Sequence, residues 1–238
     1  MNSIEFLLKK PIAHRGLHNN KFLENTIEAF ENAIDNGYPI ELDVHLVKGG
    51  DIVVFHDDNL KRMCGINKRI NKLTLPQIKE LTLFDGSSTI PTLKEVLDVV
   101  QGQVPLLIEL KNESNPKKTV IRTLEVLKGY CGKYALQSFS PLNLLWINRL
   151  APNIPKGQLS SFYKNSKNPI KVMIKKLRFY NLTKFDFITY DIENLPNKYV
   201  EKFKDLPLLT YTIRTKEELL KAKKITQNYI FENIVSKY

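Results

Sequence analysis

From one end of the chain to the other, short apolar runs alternate with amphipathic stretches of helical period, and few folds accept that pattern. Apolar runs at 11–13, 40–47, 104–110, 134–139, 156–160, 185–190, 208–213 and 229–231 read as strands. Stretches at 25–36, 92–100, 117–128, 141–150, 170–180, 196–204 and 216–224 read as helices. The first helix carries Ile27, Phe30, Ala33 and Ile34 on one face, with Gly37 as its C-cap. The second carries Leu93, Val96, Leu97 and Val100 in the same way. Strands separated by helices pair in parallel, and about eight such units predict a closed (β/α)8 barrel of class α/β. The 238 residues suit one domain, 1–238. Within it, 58–90 reads as a small insertion after the second strand, irregular but for a short helix at 76–81.

A barrel of this kind carries its chemistry at the carboxyl ends of its strands. His14, Glu109, Ser138, Ser160, Asp191, Arg214 and Glu232 fall at or near such ends. The densest chemistry lies in 40–57, which reads as two strands about the turn Lys48-Gly49-Gly50-Asp51. Alternation along a strand puts Glu41 and Asp43 on one face, with His45 beyond them. Paired carboxylates repel unless a cation lies between them, and hard oxygen ligands suit Mg²⁺, Ca²⁺ or Mn²⁺. His56 closes the second strand as a candidate acid or base. The plain alternative for Glu41-Leu42-Asp43 alone is a solvated pair on an edge hairpin.

A second cluster lies upstream: His14-Arg15-Gly16 ends the first strand and Glu24-Asn25-Thr26 opens the first helix. The ordered series His-Arg-Gly, Glu-Asn-Thr, Glu-x-Asp and His56-Asp57 resembles the glycerophosphodiester phosphodiesterase family. Residues 90–97 and Ile108-Glu109-Leu110-Lys111 look like that family's later blocks, and the likeness is densest over 11–111.

The resemblance implies a TIM barrel and hydrolysis of a small-molecule glycerophosphodiester to glycerol 3-phosphate and an alcohol. It places His14 and His56 as the acid–base pair, and Glu41, Asp43 and Glu109 as ligands of one divalent cation, Mg²⁺ or Ca²⁺ or Mn²⁺. Arg15 and Lys111 are then candidates for the substrate phosphate. Glu24, Asn25 and His45 are candidates for supporting the cation's ligands, against plainer readings as a helix-start acid, an N-cap and a packed histidine. His18 reads as a solvated loop residue, and Tyr211 as either core or pocket. The route implied uses the substrate's own 2-hydroxyl and a 1,2-cyclic phosphate, since Ser138 and Ser160 sit in no nucleophile motif. A lysophospholipase D or sphingomyelinase-D-like activity shares the plan, and so does a barrel that only binds phosphodiesters.

The chain departs from the family at Leu23, where proline is usual, and in the Val-Lys-Gly-Gly turn of 47–50. It has Tyr211-Thr212-Ile213 for Trp-Thr-Val, and Phe231-Glu232 for a closing Thr-Asp. None of these is a proposed metal or histidine position.

The formal charge of +11 suits an anionic ligand. Its lysines are scattered and no arginine-rich tract appears, so nucleic acid is not expected as a partner. Cys64 and Cys131 have no C-x-x-C partner, as in a reducing compartment. Glu5 interrupts the apolar run of the N-terminus, and no segment approaches the ~20 apolar residues of a span. The expectation is a cytoplasmic protein without stable membrane insertion, its oligomeric state unspecified by the sequence.

Overall fold

The computed structural model describes residues 2–163 and 166–234. Nine strands form among them: Ile12–Ala13 (β1), Ile40–Leu46 (β2), Ile52–Val54 (β3), Leu106–Leu110 (β4), Tyr134–Ser138 (β5), Lys156–Ser160 (β6), Phe187–Asp191 (β7), Leu208–Ile213 (β8) and Asn228–Phe231 (β9). Eight run parallel in the order β1-β9-β8-β7-β6-β5-β4-β2, and pairing of β1 with β2 at Ala13 and Ile40 closes a (β/α)8 TIM barrel. β3 folds back antiparallel on the upper end of β2, with Val44 opposite Val54 and Leu46 opposite Ile52. The hairpin read from the sequence therefore exists, but its first strand is a barrel stave buried along its whole length.

Alternation sorts the stave residues. Leu42, Val44, Leu106, Ile108 and Leu110 turn outward and pack with Phe30, Ala33, Val96 and Val100 of the surrounding helices. Leu107, Ala135, Phe187, Leu209 and Ile230 fill the lower interior, where Ile4 and Leu7 of the short helix Glu5–Leu8 plug the barrel floor. Burial on both faces is why these strands read as continuous apolar runs. The insertion has an apolar cluster of its own, in which Leu60, Met63, Ile70, Ile78 and Ile90 pack on Val53 and Phe55 of the hairpin.

Two expected helices differ. The stretch 170–180 divides into Pro169–Lys175 and Tyr180–Thr183. Ser160 Oγ and Tyr190 Oη donate to the carbonyls of Ile174 and Lys175, and Leu177 enters the left-handed region at φ 53°. The stretch 196–204 shortens to a 3-10 turn at Val200–Phe203, because the Asn197 side chain accepts the N–H groups of Tyr199 and Val200. Residues 235–238 lie outside the described residues. No helix among the described residues is long and apolar enough to cross a membrane.

Candidate active site

Register decides which acids meet. Asp43 pairs with Glu109 across β2 and β4, and Glu41 stands one inward position lower, beside Leu107. All three carboxylates are buried, and one oxygen of each lies within 4.8 Å of the others. Burial, then Asp43 and Glu109 as like charges, push the Glu41 carboxyl well above its ordinary range. Burial pushes Asp43 the same way, but Lys111 and Arg15 more than offset it and hold that group far below its usual range. Lys111 Nζ sits 2.7 Å from Asp43 and 2.9 Å from Glu109, an ammonium lodged among the acids. A buried trio of hard oxygen donors with one carboxylate still pushed toward neutrality is a donor set that fits a divalent cation.

Local backbone brings the upstream motif onto this trio. Arg15 and Gly16 lie in the left-handed region at φ 55° and 82°. A Cβ on Gly16 would stand 2.9 Å from Ala29, so only glycine lets the loop lie against helix Ile27–Asp35. That turn aims the Arg15 N–H at Glu41 Oε2, 3.1 Å away. Asn25, also left-handed at φ 57°, donates to Asp43 Oδ2 at 2.9 Å. Thr26, not Asn25, caps the helix by accepting from the Ala29 N–H, which corrects the N-cap reading of Asn25. Glu24 is drawn elsewhere: it accepts from Arg15 Nη1 at 2.8 Å and from Arg62 Nη2 at 2.6 Å.

The two histidines are held differently. His14 is buried at the top of β1, and its Nδ1–H donates to Glu232 Oε2 at 3.1 Å. Burial, with some help from the Arg15 charge, pushes the ring down to about 4 against that bond, so it is neutral at pH 7. The His14 hydrogen bond and the Arg214 charge hold Glu232 down to about 2. Arg214 also donates to Glu232 Oε2, at 2.8 Å from Nη2. His56 is 34% exposed and donates from Nδ1 to Asp57 Oδ1 at 2.6 Å. Arg62 Nε grips the other oxygen of Asp57 at 2.6 Å, which links Asp57 through Arg62 to Glu24 and Arg15.

His45 is fully buried, with Nδ1 2.6 Å from Glu113 Oε1 and Nε2 3.3 Å from the His56 carbonyl oxygen. Asn71 of the insertion donates to Glu113 at 2.8 Å. His45 thus supports the strand end that carries His56, not a metal ligand. His18 is not solvated as expected: its side chain is 13% exposed and Nε2 lies 3.9 Å from Glu232 Oε1. Tyr211 is both core and pocket, its hydroxyl donating to the Ser160 carbonyl while its ring meets Phe139 edge-on. Ser138 Oγ donates to the Leu110 carbonyl and Ser160 Oγ to a helix, so neither is poised as a nucleophile.

His14, Arg15, Glu41, Asp43, His56, Glu109 and Lys111 line one cavity of about 210 Å³, with Phe139 and Tyr211 on its wall. Beside it runs an open trough of about 980 Å³ that shares His56, Glu109, Lys111 and Phe139. The trough's far side is built by Asp57 and by Asp58, Asn59, Lys61, Arg62 and Asn67 of the insertion.

The profile of the glycerophosphoryl diester phosphodiesterase family matches residues 14–233. The chain belongs to this family. It is a glycerophosphodiester phosphodiesterase, of a family that generally depends on a divalent metal. An Oleispira antarctica phosphodiesterase, solved with the product sn-glycerol-3-phosphate, superposes with a TM-score of 0.82 at 26% identity over 98% of this chain and 95% of that one. A glycerophosphodiester phosphodiesterase of Caldanaerobacter subterraneus is 32% identical over 162 residues, 62% of this chain and 65% of the relative. A human lysophospholipase D is 35% identical over 136 residues, 52% of this chain but only 42% of the relative.

Of the residues that hold this phosphodiesterase site together, sequence reasoning did not assign Glu232, Glu113, Asp57 or Arg62. Glu232 carried a signal, since it stands where the family closes with Thr-Asp and it keeps an acid there, one methylene longer.

Proposed function

We propose that the protein hydrolyses a glycerophosphodiester to sn-glycerol 3-phosphate and an alcohol, through a 1,2-cyclic phosphate, with a divalent cation on Glu41, Asp43 and Glu109. The observation that carries the reading is one cavity lined by this acidic trio and by two histidines with separate carboxylate partners. When bound, the cation offsets negative charge on the phosphodiester and positions its oxygens. Arg15 and Lys111, with Arg214 beyond them, are the cationic side chains that line the cavity and can meet the phosphate.

Neutral His14, with its proton on Nδ1, has a free lone pair on Nε2 and removes the 2-hydroxyl proton. The 2-oxygen bonds to phosphorus, the bond from phosphorus to the alcohol oxygen breaks, and His56 protonates that oxygen. In the second half, His56 takes a proton from water, the hydroxyl opens the cyclic ester and His14 returns its proton to the 2-oxygen. Proximity of an internal hydroxyl can replace roughly 7–11 kcal/mol of barrier in the best cases. A 2-deoxy analogue of glycerophosphocholine is therefore expected to bind normally and turn over at least ~100-fold more slowly, and glycerol 1,2-cyclic phosphate to be hydrolysed. Equal turnover of the deoxy analogue would end the cyclic route in favour of direct attack by water.

The human relative's name raises lysophospholipid as a second substrate class. The trough beside the cavity mixes charged side chains with a larger share of apolar surface, so it accommodates either class, and a panel of glycerophosphodiesters against lysophosphatidylcholine decides between them. A barrel that only binds phosphodiesters is disfavoured because every motif acid and histidine is present.

A further inference from the structure

His14 Nδ1, His18 Nε2 and a Glu232 oxygen form a second convergence of ligand atoms, all within 4.8 Å of one another and separate from the acidic trio. Glu232 bridges the two rings, with 3.1 Å from Oε2 to His14 Nδ1 and 3.9 Å from Oε1 to His18 Nε2. An ion with four tetrahedral bonds of ~2.0–2.1 Å holds its ligand atoms roughly 3.3 Å apart. The two separations fall on either side of that figure. His18 Nε2 is shielded from water yet has no hydrogen-bond partner, so it is a buried lone pair or N–H that the protein alone leaves unmatched. His18 belongs to none of the motifs the family reading used. The chemistry of the two clusters also differs: three carboxylates suit a hard ion, whereas two imidazoles and one carboxylate suit zinc.

We propose that His14, His18 and Glu232 form a Zn²⁺ site that switches the enzyme off. Zn²⁺ on Nδ1 requires the ring proton to sit on Nε2, so His14 loses the lone pair with which it would act as base. No net proton is gained or lost by the neutral ring in this exchange; its single proton moves from one nitrogen to the other. Arg214, which now donates to Glu232, has a side chain 53% exposed and can turn to solvent as the cation enters. The site itself rests on geometry; its inhibitory effect rests on His14 being the base.

The test uses the full chain in excess Mg²⁺, which keeps the acidic trio out of competition, and follows Zn²⁺ by equilibrium dialysis alongside turnover. The parent is expected to retain Zn²⁺ and lose activity as it does so. His18→Ala and, as a polar replacement that guards against a collapsed loop, His18→Asn are expected to weaken Zn²⁺ binding by roughly 10–100-fold or more. Both should keep Mg²⁺-supported turnover and escape the inhibition. Glu232→Gln is expected to lose Zn²⁺ binding as well. Unchanged Zn²⁺ retention and inhibition in both His18 variants would overturn the site. Retention that depends on His18 but leaves turnover untouched would uphold the site and overturn the inhibitory switch, and with it the role of His14 as base.

Discussion

The two walls of the active site use the same pair of groups, a histidine on a carboxylate, in opposite surroundings. The His14 wall belongs to the barrel: β1 and β9 bury the ring beside Glu232. The His56 wall belongs to the insertion: the ring stands at the rim, on an Asp57 held by Arg62. Burial disfavours the charged ring at His14, which leaves it a neutral proton acceptor. At the rim, His56 keeps contact with solvent and with its Asp57 partner. In the proposed reaction the buried ring is the base and the rim ring the acid, so depth would separate the two roles without a change of residue type.

The largest effect should come from what lies between the walls. Chelation with confirmed metal removal is expected to abolish turnover and Mg²⁺, Ca²⁺ or Mn²⁺ to restore it. Glu41→Gln, Asp43→Asn and Glu109→Gln should each leave little activity in a folded protein, as circular dichroism would confirm. Full activity of the stripped enzyme would remove the cation from the comparison altogether.

Next come the histidines themselves. His14→Ala and His56→Ala are each expected to lower kcat by on the order of 10²–10⁴. A substrate with p-nitrophenol as leaving group needs no acid, so it should restore much of the loss in His56→Ala and almost none in His14→Ala. Rescue of the His14 variant instead would reverse the two roles.

The carboxylate partners should matter less. Glu232→Gln and Asp57→Asn are expected to cost at least ~10-fold in kcat, well short of the ~10⁴ seen when a triad's orienting acid becomes an amide. If Asp57→Asn proved neutral while Glu232→Gln did not, orientation would matter only on the buried wall.

The smallest effect belongs to the link between walls. Arg62 is 46% exposed, so Arg62→Ala should cost below ~1 kcal/mol of stability after solvent screening. Its partners Glu24 and Asp57 are both held below the ordinary carboxylate range: burial acts upward on each, and Arg62, together with Arg15 at Glu24 and His56 at Asp57, outweighs it. Depressed acids stabilise the fold above their unfolded values and lose that contribution as pH falls through the folded ones. The melting-temperature gap between parent and Arg62→Ala should therefore close on acidification below pH ~4.

By itself the sequence determined the barrel, because the strand and helix periods are local; the acidic trio came from the order of the family's motifs. A period of two along β2 puts Glu41 and Asp43 on one face, and the register of β2 with β4 then sets Glu109 opposite Asp43. The resemblance adds His14 and His56 because they end strands inside short motifs. Helix limits were legible where a capping box marks them, as at Thr92 and Glu95, and illegible at 170–180, where strand hydroxyls from elsewhere take the helix carbonyls. Only the tertiary structure decided the partners. Glu232 reaches His14 across 218 residues, Glu113 reaches His45 across 68, and Arg62 reaches Glu24 across 38. It also drew His18 partly out of water, where a polar His-Asn-Asn loop gave every reason to leave it. Barrel closure sets such contacts by bringing the first and last strands side by side, and that adjacency has no periodicity along the chain from which to be read.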